Sequence, residues 1–311
     1  MTLAILSFYS FADKDVPTIL FTDNPGWFAP YLKDFPVQYV LLTPEKIKTM
    51  RGKIDFLHRM KIALIEEAFQ ISGTHLLYSD SDTFFQGNPV AYFAGMDESK
   101  SYMHLHEYEF EYLRNMALPA GKTFRDFLDI IEHRKLLLAD GSELPLSAKN
   151  SSWNAGVMLL HASHSRWIPD VYTLTDQFYP DSKNHASEQY AFSVLLQTRT
   201  HLQACEELVY HYWYNVKKKI IDIFLEQRLS GLQAMSVDEK LATVKKWTQE
   251  LPALFDSHVL ALKDNAVQTF NNKEFGAGLK WAFRAFAKGA WRDTTFIKDV
   301  LYHTKNKLLN K

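Results

Sequence analysis

The 311-residue sequence predicts an α/β fold, in which a mixed, largely parallel sheet is flanked by helices and followed by a helical C-terminal extension. Two observations carry this prediction. Short apolar runs alternate with segments of helical periodicity in the first part of the chain, as in strand–helix–strand units. After about residue 216 the helical pattern continues alone. We therefore predict an α/β domain over residues 1–216 and a helical extension over residues 217–311.

The first domain is predicted element by element from its apolar runs. Residues 1–11 fit either a helix or a strand, and residues 16–21 and 37–42 are typical of strands, the first ending in the turn signal Asp23-Asn24-Pro25-Gly26. Residues 55–70 have the spacing of an amphipathic helix that ends at Ser72-Gly73. The remaining predictions are strands at 75–78, 155–161 and 208–213 and helices at 122–138 and 186–197.

The extension is predicted to contain helices over residues 217–230, 236–250 and 277–309, with Pro252, Gly276 and Gly278 as breaks. Residues 276–311 hold eight lysines and arginines against two aspartates, a charge of +6, interspersed with aromatic residues. A basic, aromatic-bearing helix suits the surface of an anionic membrane. The alternative is a helix that packs its aromatic residues inward and leaves its lysines in solvent.

The composition is that of a globular protein, with 47% hydrophobic and 23% charged residues. The single cysteine, Cys205, cannot form an internal disulfide, which fits a reducing compartment. A net charge of −1 gives no indication of nucleic-acid binding. No apolar run has the length of a membrane span, and residues 1–11 lack the features of a signal peptide. We expect a cytoplasmic location, with attachment to the inner face of the membrane left open.

The acidic pair Asp80 and Asp82 is the strongest candidate for chemistry, because it directly follows the predicted strand at 75–78. Ligands of open α/β sheets bind at the carboxyl ends of strands. Two neighbouring carboxylates repel each other unless they share a cation, and oxygen ligands suit a hard divalent ion that also holds phosphates. The alternative is a solvated turn whose aspartates cap the next element.

Asp80-Ser81-Asp82 resembles the DxD motif of GT-A (Rossmann-like) glycosyltransferases. In order and spacing, several further segments are similar to those of the bacterial family 8 glycosyltransferases and their relatives. These segments are residues 22–25, 59–62, 154–157 and 187–189, and the series ends at His211. The resemblance covers about residues 1–217. It implies a metal-dependent enzyme of glycan biosynthesis, which moves a sugar from a nucleotide-diphosphate donor, expected to be a UDP-sugar, to a hydroxyl of a glycan or lipid-linked glycan.

The resemblance also implies a metal site made of Asp80, Asp82 and His211, with Asp80 touching the donor as well. A nitrogen ligand beside two carboxylates suits Mn²⁺, with Mg²⁺ as the other expectation. His211 has an alternative interpretation, as a packed histidine among Tyr210 and Tyr212.

The remaining site residues carried over by the resemblance are expected to bind the nucleotide sugar. Glu188 and Gln189 would lie near the reacting carbon. The donor-binding set is Asp23, Arg59, Lys61, Asn154, Gly156 and Lys217, with Lys218 as an alternative to Lys217. Each has a structural alternative: a strand-end turn, a solvated helix face, a strand start or charge at a helix N-terminus.

A second cluster occurs in the segment His104-Leu105-His106-Glu107-Tyr108-Glu109. In a strand, the two histidines share one face and the two glutamates the other, which argues against an independent metal centre. Glu107 remains a candidate for acceptor binding or for a catalytic base, and a polar strand edge is the alternative.

Two other functions stay open from the sequence. Phosphatases of the haloacid-dehalogenase type also place a DxD after an apolar strand, but their threonine four residues after the first aspartate corresponds here to Phe84. A non-catalytic protein that binds nucleotide sugars is the other alternative, because a fold does not fix an activity. The family resemblance itself departs at the start of the chain, where residues 3–11 correspond to the helix that follows the family's opening strand.

Overall fold

The computed structural model describes residues 1–117, 119 and 121–309. The chain forms two compact units, Met1–His211 and Tyr212–Lys311. The described residues of the first unit form a mixed α/β structure, and those of the second form helices. The division falls a few residues before the predicted boundary at 216.

The first unit contains the following elements. Its strands are β1 (Thr18–Thr22), β2 (Val37–Leu41), β3 (Leu76–Ser79), β4 (Thr83–Phe85), β5 (Lys100–Met103), β6 (His106–Glu109), β7 (Ser151–Trp153), β8 (Val157–Leu160), β9 (His201–Ala204) and β10 (Val209–His211). Its helices are α1 (Thr2–Tyr9), α2 (Ala29–Leu32), α3 (Pro44–Arg51), α4 (Arg59–Ser72), α5 (Val90–Phe93), α6 (Lys122–His133), α7 (Ile168–Ser182) and α8 (Ser187–Arg199).

The strands form small sheets rather than one large parallel sheet. The largest has the order β3-β8-β5-β9, and β1-β2, β10-β4 and β6-β7 are separate pairs. Among the described pairings, only β1 with β2 and β5 with β9 are parallel. The prediction of a largely parallel sheet is therefore wrong for these residues. Strand β3 pairs with β8, which runs antiparallel to it, so the strand–helix–strand rhythm did not fix the direction of the neighbouring strand.

The core of the first unit surrounds β8, all four residues of which are buried. Helix α7, which the apolar pattern did not reveal, packs against α4, α6 and α8. Helix α1 settles the ambiguity of residues 1–11, and it packs against β4. The buried Ser7 hydroxyl accepts a hydrogen bond from the Phe85 amide at 2.9 Å, which ties α1 to that strand. Helix α6 ends at His133, earlier than the predicted 138.

The second unit contains α9 (Asn215–Arg228), α10 (Val237–Ser257), α11 (Val259–Asn271), α12 (Phe275–Ala287) and α13 (Thr294–Leu309). Pro252 lies inside α10, so the predicted break there is wrong. Buried Leu251 and Phe255 flank the proline, and their packing stabilises the continuing helix.

The predicted glycine breaks are also wrong, because Gly276 and Gly278 lie within α12. A Cβ at Gly278 would come within 2.5 Å of the Phe270 ring, so the missing side chain allows α11 and α12 to pack closely. The predicted helix at 277–309 is instead divided at Gly289, whose φ of 97° is left-handed. Within the described residues, no helix combines the length and apolar character needed to cross a membrane.

Candidate metal and donor site

The acidic pair lies in the connection between β3 and β4, and backbone contacts hold this connection in place. The Asp80 amide donates to the Gly156 carbonyl at 2.7 Å, which joins the pair to the start of β8. The Thr83 hydroxyl donates to the Asp80 carbonyl at 2.9 Å. Both carboxylates are partly buried, with side-chain exposures of 25% for Asp80 and 17% for Asp82. This placement differs from a freely solvated turn.

His211 reaches the acidic pair through the pairing of β10 with β4. The antiparallel register sets His211 opposite Thr83, the residue that follows Asp82. The His211 Nε2 atom lies 3.3 Å from an Asp82 oxygen and 3.9 Å from an Asp80 oxygen. One ligand atom from each of the three residues falls within 4.8 Å of the others. The structure thus brings together the three predicted metal ligands, two of which offer a carboxylate oxygen and one an imidazole nitrogen.

Asn154 orients the His211 ring. The His211 Nδ1 atom lies 3.0 Å from the Asn154 Oδ1 atom, which also accepts the Gly156 amide at 3.0 Å. Since an amide oxygen accepts and does not donate, Nδ1 carries the proton in this arrangement. The Nε2 atom then faces the carboxylates, as in metal-binding histidines whose other nitrogen donates a hydrogen bond.

Gly156 makes room for the same ring. A Cβ at this position would lie 2.1 Å from the Cε1 atom of His211, far inside van der Waals contact. The family resemblance placed this glycine in the donor-binding set. Its close neighbour in the structure is the imidazole ring.

Lys61 and Glu188 form a buried ion pair beside Asp80. The Lys61 Nζ atom lies 3.4 Å from Asp80 and 3.6 Å from Glu188, and it donates to the Ala155 carbonyl at 3.2 Å. Burial disfavours the ammonium, but the two carboxylates outweigh this effect and raise the Lys61 pKa. Tyr78, which the sequence did not single out, donates to the second Asp80 oxygen.

Glu188 is nearly excluded from solvent, with 2% of the residue exposed. Burial raises its pKa to about 7, with Lys61 opposing the shift and Asp80 adding to it. Its Oε2 atom has no hydrogen-bond partner among the described residues. A buried polar atom without a partner is costly unless a ligand or water satisfies it, which marks this position as a candidate contact for the donor.

Gln189 is held within the protein by both ends of its amide. Its Oε1 atom accepts the Ala155 amide at 3.1 Å, and its Nε2 atom donates to Glu107 at 2.8 Å. The structure therefore places Gln189 and Glu107 next to the segment that precedes β8, where sequence spacing alone gave no indication of their contact.

The two histidines of the second cluster, His104 and His106, lie in different environments. His104 is buried and its Nε2 atom donates to the Val209 carbonyl at 2.9 Å. Burial and the neighbouring His211 lower the His104 pKa to about 4, which keeps the ring neutral. His106 is exposed and lies edge-on against Trp153.

The remaining predicted donor-binding residues are Arg59, Asp23 and Lys217. The Arg59 guanidinium makes a two-point ion pair with Asp176 at 2.8 and 3.1 Å and stacks on Tyr172, so it joins α4 to α7. Asp23 is exposed in the loop after β1. Lys217 belongs to α9 of the second unit, where its ammonium lies 5.6 Å from the centre of the Phe255 ring. Their donor-binding roles stay predictions.

No protein-family model matches this chain, and no curated protein matches it significantly.

Proposed function

We propose that this chain is a metal-dependent glycosyltransferase of the GT-A type, which transfers a sugar from a UDP-sugar to a hydroxyl of a glycan or lipid-linked glycan. The observation that carries the proposal is the convergence of Asp80, Asp82 and His211 on one point. The motif resemblance named this set of ligands, and His211 is distant from Asp80 and Asp82 in sequence yet adjacent to them in space.

A divalent cation held by these three residues would neutralise the diphosphate of the donor and stabilise the charge that develops on it as it leaves. Such cations are commonly bound by one or two carboxylates together with substrate phosphates. The partial exposure of both aspartates supports an arrangement in which phosphate oxygens complete the coordination.

The other buried groups would orient the sugar. The unpartnered Glu188 oxygen can accept a hydrogen bond from a sugar hydroxyl, and Lys61 holds Glu188 and Asp80 in fixed positions. Fixed groups of this kind reduce the entropy lost when the donor and acceptor are aligned.

The phosphatase alternative is less well supported. The position that carries threonine in those enzymes is Phe84, which is fully buried and stacked on Tyr210. No hydroxyl is available there to bind a phosphoryl group. The alternative of a non-catalytic binding protein differs from an enzyme only in turnover, so release of UDP distinguishes the two.

Calorimetric titration with UDP, with and without Mn²⁺, tests the proposal. We expect UDP to bind in the presence of Mn²⁺, and the Asp82→Ala variant to lose this binding. The matched control is Asp15→Ala, which removes an exposed carboxylate from the same unit. Absence of UDP binding under every metal condition would contradict the proposal. Release of UDP from a panel of UDP-sugars then identifies the donor.

We further propose that the second unit contacts an anionic membrane surface, where a lipid-linked acceptor would lie. On α12, α13 and their connection, the side chains of Phe283, Trp291 and Leu301 are 59–69% exposed. The lysines and arginines of this region are exposed as well, and Arg284 and Arg292 stack on tryptophans. Basic side chains near such a surface contribute about 1 kcal/mol each.

Sedimentation with vesicles tests this contact. We expect binding to phosphatidylglycerol vesicles, little binding to phosphatidylcholine vesicles, and a several-fold loss in the double variant Phe283→Ser/Trp291→Ser. The control is Trp27→Ser, which removes an exposed tryptophan of the first unit. Equal binding to both lipids, or no effect of the double variant, would contradict the proposal.

A further inference from the structure

Glu107 accepts hydrogen bonds from three side chains around the candidate site. Its Oε2 atom accepts from the Ser152 hydroxyl at 2.7 Å and from the Gln189 amide at 2.8 Å. Its Oε1 atom accepts from the Asn154 amide at 3.2 Å. Both oxygens are therefore engaged by donors of the protein itself. This occupancy argues against the role of catalytic base that the sequence left open for Glu107.

The carboxylate determines which way the Asn154 amide faces. Because a carboxylate can only accept, Asn154 must turn its NH₂ group to Glu107 and its carbonyl oxygen to His211. The Gly156 amide donates to the same carbonyl oxygen and supports this orientation. His211 then has to donate from Nδ1, and its Nε2 atom faces Asp82 and Asp80.

A second arm of the network runs through Gln189. Its NH₂ group faces Glu107, so its oxygen faces the Ala155 amide. The Ala155 carbonyl in turn accepts from Lys61, which pairs with Asp80 and Glu188. One carboxylate thus orients the amide side chains on both sides of the segment that leads into β8.

We propose that Glu107 is the positioning residue of the metal site: through Asn154 it fixes the tautomer and orientation of His211, and through Gln189 it anchors the backbone beside Lys61. This inference rests on the proposed function as far as metal binding is concerned. The effect on the His211 tautomer does not depend on any metal. Residues that orient a metal-binding histidine in this way commonly change metal affinity by about 10- to 100-fold when mutated.

The first test is whether the His211 Nδ1 atom carries a proton in the metal-free protein, measured by ¹⁵N NMR of the imidazole. The wild-type protein should show a proton on Nδ1, because the Asn154 oxygen can only accept. In Glu107→Gln, an NH₂ group faces Asn154 or Gln189, so a form without a proton on Nδ1 should appear. A wild-type His211 without a proton on Nδ1 would overturn the inference, even if no variant could be purified.

The second test is Mn²⁺ affinity, measured by electron paramagnetic resonance. Glu107→Gln should bind Mn²⁺ at least about tenfold more weakly than the wild-type protein. The matched control is Glu109→Gln, the same substitution at an exposed position of β6. Unchanged affinity and an unchanged tautomer in Glu107→Gln would overturn the inference.

The two tests also separate this inference from the proposed function. A wild-type protein that binds no Mn²⁺ would contradict the proposed function, whereas a His211 tautomer that depends on Glu107 would still support the positioning role. If wild type binds Mn²⁺ and Glu107→Gln binds it equally well, the positioning role fails and the proposed function stands.

Discussion

The candidate site of the first unit and the last two helices of the second unit hold their charged side chains in opposite ways. In the first unit, Lys61, Glu188 and His211 are largely removed from solvent and lie against partners of opposite charge or polar groups. In the second unit, the lysines and arginines of α12 and α13 are exposed, and large apolar side chains are exposed among them. The same residue types therefore meet two different dielectric environments.

This difference shows where electrostatic interactions constrain the chain. A buried charge is costly to desolvate, and removal of its partner leaves that cost uncompensated. An exposed pair contributes little, because water and salt screen it. We expect substitutions of charged residues to be severe at the candidate site and mild where the charged side chains are exposed, with packing as the main sensitivity of α11 and α12.

The largest effect is expected for the buried ion pair. Lys61→Met leaves Glu188 and Asp80 without their cation and should lower the free energy of unfolding of the metal-free protein by about 3–5 kcal/mol. Urea unfolding measures this change. The double variant Lys61→Met/Glu188→Gln should recover part of it. The control is Lys246→Met on α10, whose pair with Glu250 is exposed and should contribute less than about 1 kcal/mol. Equal effects at the two lysines would contradict the comparison.

The next effect is expected at Gly156. In Gly156→Ala, the added methyl group overlaps the His211 ring, so the ring must move away from the carboxylates. Overpacking of this kind costs about 1–3 kcal/mol, and Mn²⁺ affinity should fall together with stability. Gly95→Ala is the control, because no atom lies within 4 Å of an added Cβ there. Retention of full Mn²⁺ affinity in Gly156→Ala would mean that Mn²⁺ binding does not require this position of the His211 ring.

A smaller effect is expected from a matched pair of glycines in α12. Gly278→Ala should destabilise the protein by about 1 kcal/mol or more, because the methyl group meets the Phe270 ring. Gly276→Ala meets no atom within 4 Å and should gain up to about 1 kcal/mol from helix propensity. Thermal unfolding of both variants measures the difference. The same sign for both would show that packing between α11 and α12 is looser than the structure indicates.

The smallest effect is expected from pH at His164. This buried histidine accepts the His161 amide on Nδ1 and donates from Nε2 to the Glu98 carbonyl, which requires a neutral ring. Burial lowers its pKa, and the nearby His161, Arg166 and His75 add to the shift. As the pH falls, the unfolded chain therefore takes up a proton at this histidine before the folded chain does. The contribution of His164 to the free energy of unfolding is thus fully present above about pH 6.5 and declines as the pH falls below it.

Urea unfolding between pH 8 and pH 5 measures this dependence, because these two values lie on opposite sides of the ordinary imidazole pKa of about 6.5. The decline should be reduced in His164→Gln and unchanged in His133→Gln, which removes an exposed histidine of α6. An identical pH dependence in His164→Gln would show that other groups cause it.

The sequence alone located several parts of the candidate site. Asp80 and Asp82 are two residues apart, so their proximity follows from chain connectivity and needs no tertiary information. The mixed α/β class, the helix at α4 and the strands at β1 and β3 also followed from apolar periodicity, which reports local structure. The charge asymmetry of residues 276–311 is a property of composition.

The partners of these residues depended on tertiary structure. His211 was named from the motif resemblance, but its approach to Asp82 results from the register of β10 against β4. Arg59 was also named from the resemblance, as a donor-binding residue. Its guanidinium pairs with Asp176 on α7, a helix that the apolar pattern did not reveal. The hydrogen bonds of Glu107 could not be predicted from the sequence, because its three donors lie on other segments of the chain.

The physical reason is the range over which each kind of information acts. Periodicity and turn residues fix the backbone over one or two turns of helix or a few residues of strand, so they predict elements and neighbours in sequence. Strand direction, strand register and buried hydrogen bonds are selected by the packing of the whole unit. The sequence by itself therefore determined the identity of the acidic pair and the basic C-terminal region. Only the tertiary structure decided that Glu107 contacts Asn154, that Asn154 and Gly156 contact His211, and that Gly278 joins two helices rather than separating them.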